Sequence, residues 1–135
     1  MTLLTTEIHR HRQSDAIIVF AADRRITRGM VHDSDQRKVF PIPRLRAGIG
    51  YFGLAEVPTG ASAESMAVWI ERFLCSSTAD TIQGLADELL VALNSAVPRG
   101  CRQTCVSVFH LCGSACPVKP VVYCFTGVAN HRVSG

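Results

Sequence analysis

No stretch of the chain reaches the roughly 18 consecutive apolar residues that a membrane-spanning helix requires, which excludes a helical span and gives no reason to expect a membrane partner. The N-terminus lacks a basic leader followed by an apolar run, so no secretory signal is expected. The expected compartment is the cytoplasm, where thiols stay reduced. Aromatic residues are scarce at 7%. That argues against nucleic acid as a partner, because single strands are held by bases stacked on aromatic side chains. Half of the Lys and Arg residues do lie between Arg24 and Arg46, but a solvated sheet edge with its loops accounts for them. Internal repeats, low-complexity segments and the G-x-S-x-G, H-E-x-x-H and Walker patterns are all absent.

What is present reads as one globular domain over residues 1–135, with 47% hydrophobic residues and 19% charged ones. Cys101, Cys105, Cys112 and Cys116 form C-x3-C-x6-C-x3-C, with wider pairs than zinc knuckles use. Cys105 and Cys112 would sit at opposite ends of an extended apolar strand, about 20 Å apart. Free thiols are therefore expected, with no metal and no cofactor. His9 and His11 share one face of an early strand, but Arg10 and Arg12 bracket them and no third histidine lies near, so a solvated face is expected.

The chain alternates between two periodicities. Residues 3–12 and 16–22 read as two strands of a hairpin turned at 13–15, the second buried on both faces or nearly so. Residues 30–37 are polar and loop-like. Residues 38–42, "KVFPI", read as a short strand that Pro41 and Pro43 place at an edge or a bulge. Residues 47–55 form a glycine-rich strand, which "EVPTG" leaves. Helical spacing of Met66, Trp69, Ile70, Phe73 and Leu74 predicts a helix over 62–75. Ile82, Leu85, Leu89, Leu93 and Val97 predict a second over 81–96, stopped by Pro98 and Gly100. Two more strands, 104–112 and 121–125, follow. Segregated strands and helices predict an α+β fold with a mainly antiparallel sheet.

Residues 48–53, "GIGYFG", match G-x-G-x-x-G literally. A dinucleotide site needs that loop between a buried strand and a helix that opens on the phosphates. Neither flank fits, so the glycines are expected to let another backbone approach closely, or one of them to offer its amide to a ligand oxygen.

Two further features carry chemistry. The apolar run "IIVFAA" ends by delivering Asp23 against Arg24 and Arg25. Met1 precedes Thr2, a small residue that permits removal of the initiator methionine. A terminal threonine holds nucleophile and base in one residue, because its α-amine titrates near neutrality. Such an amine needs a cation to keep it neutral and an acid to orient the cation. Asp23 and Lys38, both at strand ends, are the candidates.

The N-terminal threonine, "VFAADRRITRG", "RKVFPI" and "GIGYFGLAEV" resemble the proteasome β-type branch of the N-terminal nucleophile hydrolases. Ala21 to Arg25 match that family's Ala-Ala-Asp-x-Arg motif, Lys38 to Ile42 its Lys-apolar-x-x-Ile segment, and Gly53 to Ala55 its Gly-Leu-Ala strand end. The resemblance covers about residues 2–126. It implies antiparallel sheets with helices packed on them, a partial αββα sandwich. It implies Thr2 as nucleophile, Lys38 lowering the pKa of its amine, Asp23 fixing Lys38, the Gly53 amide as oxyanion donor, and Arg25 as a structural residue beside the acid. A peptide or amide substrate and a homo-oligomeric assembly follow from it, or else an inactive subunit kept for assembly. The segment from Thr2 to Asp23 is longer than the family's, which leaves Thr5 and Thr6 as rivals. The family fold also continues past the second hairpin, whereas this chain stops at Ser134-Gly135. One sheet face is therefore expected to lie uncovered, as an assembly surface.

Overall fold

The computed structural model describes residues 3–10, 16–24, 26–28, 31–33, 36–98, 108–115, 119–126 and 129–133. The expected turn at 13–15, together with Thr2, His11, Arg25, Gly100, Cys101, Cys105, Cys116 and the final Ser134-Gly135, lies outside them.

Strands β1 (Leu4–Arg10) and β2 (Ala16–Ala22) form an antiparallel hairpin, in register from Leu4 opposite Ala22 to Arg10 opposite Ala16. Short strands β3 (Ile26–Arg28) and β4 (Val31–Asp33) pair as a ribbon. Strand β5 (Val39–Ile42) leads through a 3-10 turn (Pro43–Leu45) into β6 (Ala47–Phe52). A second ribbon, β7 (Glu56–Thr59) with β8 (Ser62–Ser65), precedes helices α1 (Met66–Ser76) and α2 (Ile82–Ala96). Strands β9 (Val108–Ala115), β10 (Lys119–Thr126) and β11 (Ala129–Val133) close the chain. The main sheet is antiparallel, in the order β11-β10-β9-β6-β5. The fold is α+β, with small antiparallel sheets and two helices.

Strand alternation sorts this sheet into two faces. Phe40, Ile42, Ile49, Tyr51 and Leu111 join Met66, Trp69, Ile70, Ile82, Leu85, Leu89 and Leu93 in one buried cluster, which places the core between the sheet and the helices. The opposite face carries Gly48, paired with Cys112, and Gly50, paired with His110. There the hairpin docks. A Cβ on Gly48 would sit 2.6 Å from the Phe20 ring, and one on Gly50 2.6 Å from a Leu4 methyl. The close neighbour is not the expected backbone but a pair of side chains seated in notches. The hairpin therefore covers part of the face expected to lie open.

Among the described residues the outer side of the hairpin is itself uncovered. Strand β2 was expected to be buried on both faces, yet only Ile18, Phe20 and Ala22 turn inward, while Ile17 is 63% and Val19 42% exposed. The hairpin is a layer two strands wide, and among the described residues no further layer packs outside it.

Several boundaries move for tertiary reasons. Residues 62–65 are strand rather than helix, because Glu56–Thr59 pairs with them and Ser65 caps α1 by accepting the Val68 amide at 3.3 Å. Thr81 caps α2 in the same way, at 3.1 Å from the Gly84 amide. The expected loop at 30–37 contains β4, and "EVPTG" contains β7. The expected connector at 113–120 shrinks because β9 continues to Ala115 and β10 begins at Lys119, while β11 was not expected at all. Strand β5 is an edge strand, where the missing amide of Pro41 costs no ladder bond.

Candidate active site

Asp23 follows the last residue of β2, and Lys38 precedes the first of β5. Docking of the hairpin on the sheet brings them together. Lys38 Nζ donates to Asp23 Oδ1 at 2.9 Å, with the lysine side chain 3% and the aspartate 33% exposed. An ammonium so buried is rare unless it is paired. Lys38 is also held through its backbone, because its carbonyl accepts the Tyr51 amide at 3.0 Å. Burial by itself pushes the Asp23 carboxyl up. The hydrogen bond and charge of Lys38, helped by the Leu3 amide, outweigh it and hold the carboxyl below its ordinary 3.8.

The chain start is tied to the same acid. The Leu3 amide donates to Asp23 Oδ1 at 3.3 Å, and the Asp23 amide donates to the Leu3 carbonyl at 3.1 Å. Thr2 lies outside the described residues, but its neighbour is fixed against Asp23. The rivals sit elsewhere. Thr5 lies opposite Ala21 and Thr6 opposite Phe20, both inside the hairpin ladder. Gly53 lies in the turn after β6, two residues beyond Tyr51, with φ of 104°. That left-handed backbone suits glycine alone. Arg25 falls outside the described residues. A cleft of about 490 Å³ opens beside the pair, lined by Phe20, Ala22, Arg24, Arg37, Lys38 and Val39. Arg37 is itself engaged, 3.3 Å from Glu71 and stacked 4.9 Å over the Phe40 ring.

His110 was missed. Its Nδ1 lies 3.1 Å from Thr6 Oγ1, a polar clasp between hairpin and sheet. The available signal was a histidine inside the apolar run "VFHLC". Burial lowers its pKa below the ordinary 6.5. The unfolded chain then takes up a proton as pH falls past 6.5 while the folded chain does not, so stability drops with pH in that window. Asp23 acts in a lower one: its contribution is complete above 3.8 and is lost as pH falls through its depressed folded value. His110→Asn should therefore flatten the fall in urea midpoint between about pH 6.5 and 5 and leave the acid limb below pH 4 in place. A wild-type midpoint that does not change between pH 7 and 5 would remove the buried-imidazole assignment.

The other polar candidates stand apart from this site. His9 Nε2 is 2.9 Å from Glu7 Oε2 on the exposed side of the hairpin. Among the described residues no three His, Cys, Asp or Glu side chains cluster as metal ligands. Cys75 and Cys112 are free thiols, and burial pushes the Cys112 thiol up to about 11, which leaves it without nucleophilic thiolate. Among the described residues no helix is long and apolar enough to cross a membrane.

A buried ammonium beside the first residues of the chain can do one thing especially well. It disfavours protonation of a neighbouring amine and leaves that amine able to accept a proton at neutral pH. No family model matches the chain, and comparison with curated proteins and with solved structures gives no match either.

Proposed function

We propose that the chain is a proteasome-like threonine amidohydrolase acting on peptide or other amide bonds, with Thr2 as its N-terminal nucleophile. The observation that carries this reading is the buried Lys38 ammonium on Asp23, with Leu3 bonded to the same carboxylate. In this reading the hairpin and the five-stranded sheet are the two sheet layers of a partial αββα sandwich, with α1 and α2 on one side.

Removal of Met1 exposes the Thr2 amine. Lys38 keeps that amine neutral, and Asp23 keeps Lys38 in place. The amine takes the hydroxyl proton as Thr2 Oγ1 adds to the substrate carbonyl. The Gly53 amide stabilises the oxyanion, a contribution typically worth 10²–10³ in rate. The C–N bond then breaks, the leaving amine departs with the proton, and water hydrolyses the ester to free Thr2. Arg25 supports the acid.

Exposed Leu3, Ile17 and Val19 favour a second reading, in which the chain keeps the fold as an inactive subunit of an assembly of its own copies and the outer hairpin face is its contact. Intact mass and labelling separate the two. The active form is expected to lack Met1 and to gain one epoxyketone adduct on residue 2, lost in Thr2→Ala. Lys38→Met should cut the rate at neutral pH by about 10²-fold or more and shift the basic-amine limb of the pH–rate profile upward. A purified chain that retains Met1 and takes no adduct would replace the enzyme reading with the assembly one.

A further inference from the structure

A second cleft, of about 350 Å³, lies between the hairpin and the edge of the main sheet, with Ile18, Phe20, Val39, Pro41, Arg46 and Gly48 on its walls. Its origin is the mismatch in width between the two layers. Phe20 seats β2 on Gly48, over β6. Strand β5 lies one strand further out, about 4.8 Å away, so Val39 and Pro41 face the hairpin side at the margin of β2, which touches β5 as well as β6. Between them is a slot with an apolar floor and ceiling, beside the β5 edge of the sheet. Its volume is within the range of small-molecule sites.

Among the described residues, one charged side chain lines this slot. Arg46 closes the 3-10 turn in a left-handed conformation (φ 48°), its amide bonded to the Pro43 carbonyl at 3.0 Å. That bond fixes the backbone from which its exposed guanidinium extends. Among the described residues no carboxylate pairs with it, whereas Arg37 and Arg72 pair with Glu71 and Glu64. An apolar slot with a single unneutralised guanidinium is complementary to an apolar chain that ends in one carboxylate, which the planar fork can take bidentately.

We infer that this cleft binds a linear aliphatic monocarboxylate, its chain between Ile18 and Phe20 above and Val39 and Pro41 below, its carboxylate on Arg46. Lys38 is not on its walls, although Phe20 and Val39 line both clefts, and the inference does not rest on the threonine chemistry proposed above.

Titration of the full chain with octanoate tests it, by calorimetry and by the carboxyl shift of 13C-labelled octanoate. Saturable one-to-one binding is expected. Arg46→Gln should weaken it at least tenfold, and octan-1-ol should bind wild type no better than octanoate binds Arg46→Gln. Ala16→Trp, at an exposed position on the rim of the cleft, should abolish binding with Arg46 intact, and thermal melts verify that both variants fold. Absence of saturable binding would overturn the inference. So would equal affinity in Arg46→Gln, equal affinity for octanol, or octanoate binding that survives Ala16→Trp.

Discussion

Asp23→Ala should lose about 2–3 kcal/mol of stability, and Lys38→Met clearly less. Removing one partner of a buried ion pair ordinarily costs about 3–5 kcal/mol, because the charge left behind is neither hydrated nor matched. The lower figure applies because Asp23 keeps a third of its surface in water. The asymmetry between the partners follows from the same exposures. Deleting the aspartate leaves an ammonium that is 3% exposed without its carboxylate, whereas deleting the lysine leaves a carboxylate that water can reach. Methionine keeps most of the lysine's volume among apolar neighbours, and apolar replacement of buried charge is often neutral. Urea unfolding at pH 7 reads both values. Equal losses would mean that water reaches Lys38, and the dry ammonium on which the amine chemistry depends would be gone. In the proposed enzyme both substitutions should cut hydrolysis by about 10²-fold or more, so stability and activity separate the structural role of the pair from its chemical one.

Gly113→Ala should cost about 1–3 kcal/mol, the usual range for forcing volume into a packed core. Gly113 faces the helices, where an added methyl would collide with the end of Ile82 and lie 2.7 Å from Ala47 Cβ and 3.4 Å from Ala47 Cα. Ile82 can turn away, but Ala47 is fixed by the β6 backbone and cannot. Gly50→Ala makes a useful comparison, because its methyl meets only side-chain atoms of Leu4 and Phe20, on a hairpin that can shift. Thermal melts of the two variants should show the larger drop for Gly113→Ala. The reverse order would place the tight contact of the fold on the hairpin side and not under α2.

Much of this was legible in the sequence. The α1 stripe Met66, Trp69, Ile70 and the α2 stripe Ile82, Leu85, Leu89, Leu93 are buried as their spacing predicts, because helix periodicity is local. Pro41 marked an edge strand for an equally local reason, its missing amide. The meeting of Asp23 with Lys38 was legible only as two charges at two strand ends, and which strand ends meet depends on how the layers stack. Strands β7, β8 and β11 were hidden because pairing with a neighbour's backbone, not apolar alternation, makes them strands. The exposed outer row of β2 misled for a related reason. An apolar run states that a strand can be buried on both sides, but not whether a second layer exists to bury it. His110 gave the weakest signal, since its role is defined by Thr6, far away in the chain.

The notches at Gly48 and Gly50 have a consequence for how such a chain can change over generations. Phe20 and Gly48 share one volume, as do Leu4 and Gly50, so neither member of a pair drifts freely. A larger residue in the notch demands a smaller one in the hairpin, and a single step in either direction passes through a clash or a void. Each pair thus behaves as one heritable character written in two distant places. Because the same docking carries Asp23 to Lys38, selection on the pair would reach the notch residues as well.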